Sequence, residues 1–128
     1  MITKEITLCG KSVTLGYCYA TEIAYQDMAG EEITEFLLGA LSSLKDGKMP
    51  DIKKTIYIIL SSMISFYESK EEEAPLKDKD LMNETTPEEI GVALGTIIGL
   101  RSQFYHVEDN EPEDTQKTEK KNGKKGKN

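Results

Sequence analysis

The chain has no tryptophan, one histidine, two cysteines and four prolines among its 128 residues. Each scarcity removes a class of function. No second histidine and no cysteine lies within metal-ligand spacing of His106, so no zinc motif can be built around it. The same histidine would have to serve any serine or cysteine nucleophile as its base, and no neighbouring motif brings one to it. It reads instead as a surface residue at a helix C-terminus, where a cation meets the negative end of the dipole. Two cysteines make no disulfide framework, and nothing demands an oxidising compartment. Long apolar runs are lacking too. The longest, Ile90 to Leu100, rises about 16 Å as a helix, roughly half a bilayer. Glu88, Glu89 and Arg101 bracket it, so a buried helix rather than a membrane span is expected. Met1-Ile-Thr-Lys-Glu5 carries no apolar signal-peptide core.

What is present is acidic charge, unevenly placed. The formal net charge is -7. The last stretch, residues 107–128, holds acids at Glu108, Asp109, Glu111, Glu113, Asp114 and Glu119 and lysines at 117, 120, 121, 124, 125 and 127. These cancel, so the negative charge sits on residues 1–106. An acidic body argues against nucleic acid as the ligand, since phosphate neutralisation needs a basic surface. Val107 is the only apolar side chain of the last stretch. Such a segment cannot offset the entropy of ordering, and a disordered charged tail over 107–128 is expected. The remainder, 1–106, is long enough for one domain with one core.

The order of elements follows from periodicity. Residues 2–18 alternate as a β-hairpin, with Gly10-Lys11 suited to a two-residue turn that places Gly first. Pairing about that turn sets Leu8 opposite Val13, Ile6 opposite Leu15 and Lys4 opposite Tyr17. Ile6, Leu8, Val13, Leu15 and Tyr17 then share one face. Cys9 sits at the turn and Cys18 about 20 Å down the second strand, too far for a disulfide. Four helices follow. Ala20–Ala29 turns Ala20, Ile23, Ala24 and Met28 inward and ends at Gly30. The second begins at Glu31-Glu32 and repeats Ile33, Phe36, Leu37, Ala40, Leu41 and Leu44 at three- and four-residue spacing. Lys45-Asp-Gly-Lys48 ends it. The third opens at Pro50 and buries Ile52, Ile56, Ile59, Leu60, Met63, Ile64 and Tyr67; Tyr57, Ile58 and Phe66 widen that stripe and make this helix central. A charged linker from Glu71 to about Thr85 follows, with room for one helical turn at Asp80-Leu-Met82. The fourth helix starts at Thr86-Pro87-Glu88-Glu89, a capping box with Pro at its first position. Its core stripe is Ile90, Leu94, Ile97 and Phe104. The fold class is therefore mainly α, an N-terminal β-hairpin followed by about four helices.

Gly91, Gly95 and Gly99 line a second face of the fourth helix. Each costs about 1 kcal/mol against alanine, so close approach of another backbone along that face is the expected compensation. Two sources fit: a helix crossing within the domain, or a partner chain. Gly91, Gly95 and Gly99, with whichever of Tyr57, Ile58 and Phe66 stay exposed, are the candidate partner-binding positions. Other motifs fail. Gly10-Lys11-Ser12 has the ending of a phosphate-binding loop, but the glycine required five residues earlier is Glu5. The acid pairs Glu31-Glu32 and Glu88-Glu89 and the run Glu71–Glu73 stand at helix starts or in the linker, where dipole and solvation place acids. No dinucleotide fingerprint and no EF-hand spacing occurs. No catalytic residue, metal or cofactor is assigned.

Ile6-Thr-Leu-Cys-Gly-Lys11, then Ala20-Thr-Glu-Ile-Ala-Tyr-Gln-Asp-Met-Ala-Gly30, then Glu31-Glu-Ile-Thr-Glu-Phe-Leu37 resemble the N-terminal half of phage tail assembly chaperones. The likeness covers roughly Ile2 to Leu44 in detail and the later helices by type. The resemblance implies a mostly helical protein without an active site, in the cytoplasm of a bacterial host, whose partner is the tape-measure protein or the tail tube growing around it. Self-association is a further option. It also implies that a frameshifted, longer product is possible; Lys120-Lys121 and Lys124-Lys125 are where A-rich codons would lie. The alternative from the residues alone is a small helical adaptor or regulatory protein acting through protein contacts.

Overall fold

The computed structural model describes residues 1–109, with side-chain environments through His106. Two strands, β1 (Ile2–Leu8) and β2 (Lys11–Tyr17), form an antiparallel hairpin. Five helices follow: α1 (Tyr19–Ala29), α2 (Ile33–Lys45), α3 (Ile52–Ser69), α4 (Asp78–Glu84) and α5 (Pro87–Asp109). The helix beyond the expected four is α4. Its single buried residue, Leu81, anchors seven residues of the charged linker. Helix α5 runs on to Asp109, beyond the boundary expected at 106. The rest of the expected tail, residues 110–128, lies outside the described residues.

The hairpin buries the expected face, Ile6, Leu8, Val13, Leu15 and Tyr17. Its register differs. Ile6 pairs with Val13, Lys4 with Leu15 and Leu8 with Lys11, because the turn is Cys9-Gly10 rather than Gly10-Lys11. Both turn residues have positive φ, 53° at Cys9 and 73° at Gly10, as a type I′ turn requires. Each partner moves by two residues, so side-chain parity, and with it the sorting of faces, survives.

Helix α5 packs against both strands, with the Phe104 ring 5.7 Å from that of Tyr17. Helix α3 lies along β2 and also touches α1, α4 and α5. The outer edge of β2 is closed by side chains. The Thr14 N–H donates to the Tyr67 hydroxyl, and the Gly16 carbonyl accepts from the hydroxyls of Thr21 and Ser62. This explains why Thr21 and Ser62 are buried polar residues: they satisfy a strand edge that α1 and α3 cover, and buried Ser65 bonds to the Thr21 hydroxyl and the Ser62 carbonyl behind them.

Several expected faces are corrected. In α1 the buried side chains are Thr21 and Tyr25, while Ala20 and Ile23 face solvent. In α2 Ile33, Phe36, Leu37 and Ala40 turn inward, Phe36 against Tyr25, and Leu41 and Leu44 are exposed. In α3 Pro50 precedes the helix instead of opening it. Asp51 is the N-cap, its carboxylate accepting from the Lys54 N–H, and Ile52 is exposed. In α5 the capping box is present as read, with reciprocal bonds between Thr86 and Glu89.

Candidate protein-docking surface

Of the candidate contact positions, Ile58 is removed. It is 0% exposed, as are Ile59 and Met63, because β2, α1, α4 and α5 all pack on this central helix. Phe66 is half-buried and engaged. Its Cβ lies beside Gly16, its ring meets Tyr67 edge-on, and the Lys70 ammonium sits over it. Tyr57 keeps an outward edge, with the Lys53 ammonium 5.9 Å from its ring centre. The glycine face of α5 is not a helix crossing. A Cβ added at Gly91, Gly95 or Gly99 would find no neighbouring atom within 4 Å. Among the described residues no segment comes close enough to offset the glycines.

The structure brings together a different surface, centred on Tyr57. On one side a cavity of about 630 Å³ opens between the start of α3, α4 and the first turn of α5. Met49, Ile52, Tyr57, Leu81, Met82 and Ile90 give it apolar walls. On the other side a second cavity of about 520 Å³ runs beneath the segment before α4, against Tyr57, Leu60 and Ile64. Tyr57 and Asp78 line both, so the two adjoin along α3 as one grooved surface interrupted at Tyr57. Three of its residues project strongly: Met49 is 58% exposed, Ile52 54% and Met82 60%. Charges of both signs line it, Lys53 and Asp78 in the first cavity and Glu73, Lys77 and Asp78 in the second. Apart from the groove, α2 carries an exposed ridge of Leu38, Leu41 and Leu44. Contiguous apolar exposure is the feature that marks candidate binding surfaces.

Sequence periodicity missed these residues for identifiable reasons. Ile52 falls on the apolar stripe of α3 but lies in its first turn, beyond the reach of the core. Met49 precedes the helix, and Met82 belongs to a helix only Leu81 anchors. The one available signal was the surplus of leucines in α2, more than a single face can bury.

The polar groups are structural. The Glu22 carboxylate accepts from the hydroxyls of Tyr17, at 2.7 Å, and Tyr105, at 2.5 Å, joining α1 to β2 and α5. Burial, and then that carboxylate, push both phenols up, Tyr105 to about 12. Glu31 accepts from the Tyr25 hydroxyl at 2.7 Å and the Lys54 ammonium at 3.0 Å. These two partners hold its carboxyl below the ordinary range, Tyr25 contributing most. Among the described residues no group of three or more His, Cys, Asp or Glu is placed to hold a metal ion, and no helix is long and apolar enough to cross a membrane.

Comparison with protein-family models, with curated proteins and with solved structures finds no match for this chain.

Proposed function

We propose that the chain is a non-enzymatic assembly chaperone, acting in a bacterial cytoplasm, that holds the tape-measure protein while a phage tail assembles around it. The observation that carries this reading is the open apolar groove around Tyr57. It is long enough for an amphipathic helix, and a tape-measure protein is a long helical client with apolar stripes to shield. Docking would follow the helix-in-groove mode, with Met49 and Met82 supplying adaptable thioether contacts. The order of hairpin, Gly-terminated helix and second amphipathic helix supports the same family. The open glycine face of α5 favours a second reading, a small adaptor that associates through Gly91, Gly95 and Gly99 with a different protein.

Co-expression tests the proposal. A phage tape-measure protein should be recovered soluble with the wild-type chain and insoluble without it. Tyr57→Glu and Met82→Glu should lose that effect while remaining folded themselves. Equal client solubility with and without the chain would reject the chaperone reading.

A further inference from the structure

The two edges of the hairpin are treated differently. In an antiparallel pair, residues alternate between those whose N–H and C=O bond to the partner strand and those whose N–H and C=O point away. Thr14 and Gly16 belong to the outward set of β2, since they bond to Tyr67, Thr21 and Ser62. Thr14 pairs with Glu5 and Gly16 with Thr3. The outward set of β1 is therefore Thr3, Glu5 and, by alternation, Thr7. Cys9 continues the series, and its N–H donates to Glu89. Among the described residues no group bonds to the outward N–H or C=O of Thr3, Glu5 or Thr7. Thr3, Lys4 and Glu5 are all exposed. Consecutive side chains of a strand leave on opposite faces, so exposure of all three opens the backbone between them from both sides. We infer that this edge of β1 is a docking site for an extended segment of another protein, added as an antiparallel third strand.

The chemistry of the edge selects its occupant. Its free donors and acceptors recur about every 7 Å. An extended backbone matches that spacing, whereas a helix has already spent its own N–H and C=O groups internally. The side chains add a charge order. Glu5 lies on the outer face of the hairpin and Lys4 on the face of Ile6 and Leu8. An antiparallel strand meets both with opposite charge when a basic residue opposite Glu5 is followed directly by an acid opposite Lys4. One Glu5 oxygen accepts from the Ser12 hydroxyl, and the other has no partner among the described residues. Lys11 and Glu89 lie at the turn end, beyond the open stretch. A second copy fits poorly. The one antiparallel register between two copies that uses Thr3, Glu5 and Thr7 sets Glu5 opposite Glu5, and like charges directly opposite are destabilising. The segment 110–128 lacks the charge order, since none of its lysines is directly followed by an acid.

The site shares no residue with the groove along α3 and does not rest on the chaperone reading. The test uses the full-length chain and a short synthetic peptide of alternating Thr and Val with Lys-Glu at its centre, at millimolar concentration. Amide exchange followed by NMR should slow about tenfold or more at Thr3 and Glu5 as their N–H groups gain partners. Lys4 and Thr14, whose N–H groups are already bonded, should not change. Methyl groups on the peptide nitrogens of its lysine and every second residue from it should abolish binding, because those N–H groups face β1. Methyl groups on the intervening nitrogens should not. Glu5→Lys, at an exposed position, should weaken the Lys-Glu peptide about fivefold, and a Glu-Glu peptide should recover that loss. Unchanged exchange at Thr3 and Glu5 at the highest peptide concentration overturns the inference, and so do equal effects of the two methylation patterns. Equal affinity of wild type and Glu5→Lys for the Lys-Glu peptide refutes the charge order that selects the occupant. Protection of Thr3 and Glu5 in the chain without peptide would also overturn it, by placing a second copy or a segment of this chain on the edge.

Discussion

The carboxylate of Glu89 accepts the backbone N–H of Cys9 at 3.2 Å, joining the hairpin turn to the start of α5 across a sequence separation of 80. The same oxygen accepts the N–H of Thr86 at 3.3 Å. One side chain thus closes the capping box of a helix and ties down a turn whose first residue, Cys9, has the left-handed φ that a non-glycine residue adopts at a cost.

Replacing Glu89 with Ala should therefore cost more than a helix cap alone. Loss of a cap accounts for about 1 kcal/mol, and the released turn adds to it. Glu89→Gln keeps an acceptor in place and should recover most of the loss. Thermal unfolding of both variants decides the matter. Equal melting temperatures for Glu89→Ala and wild type would mean that neither bond contributes.

The glycines of α5 face open space, so added side chains should not clash. Gly95→Ala is expected to raise stability by about 1 kcal/mol through helix propensity. Gly95→Leu should leave the isolated chain folded and close to wild type in denaturant midpoint. A marked destabilisation by leucine would show that another segment does approach this face. Lost association with a partner, at unchanged stability, would make the face a contact surface.

Glu31 gives the acid limb of stability a sign. Its carboxyl is a stronger acid in the folded state, held down by Tyr25 and then Lys54. Its contribution is complete above the unfolded value of about 4.3 and is lost as pH falls through the lower folded value. Glu31→Gln should have a shallower loss of stability with acid over that window. Parallel acid limbs for the two proteins would refute the assignment.

Cys9 and Cys18 are both free thiols. Alkylation of the unreduced, unfolded protein should add two labels by mass spectrometry. In the folded protein Cys9 should react more slowly at neutral pH than a small-molecule thiol. Burial raises its pKa first, and the carboxylates of Glu89, Glu84 and Asp80 raise it further. A disulfide, or Cys9 labelling at the rate of an unhindered thiol, would contradict the turn geometry.

What could be read from order alone was local or strictly periodic. The Thr86–Glu89 capping box needs only four residues to satisfy one another, and it is present as expected. The buried face of the hairpin follows from a period of two, which even a shifted register cannot disturb. The central place of α3 follows from an apolar stripe too wide for a surface helix.

The choices among equivalent faces were settled only by the packed chain. Cys9-Gly10 and Gly10-Lys11 are both usable turns by composition; Glu89, distant in sequence, receives the N–H that the first one presents. Helix α2 has apolar residues on more than one side. The inward stripe meets Tyr25 through Phe36; Leu38 lies on the far side, and Leu41 and Leu44 continue the inward stripe past the point where it is covered. Ile52 and Ile58 belong to one apolar pattern, yet one ends in solvent and the other at 0% exposure. Periodicity records that a side chain is apolar and which neighbours share its face. Whether that face is covered depends on the elements that arrive from elsewhere in the chain, and the groove around Tyr57 exists because α4 and α5 arrive without closing over it.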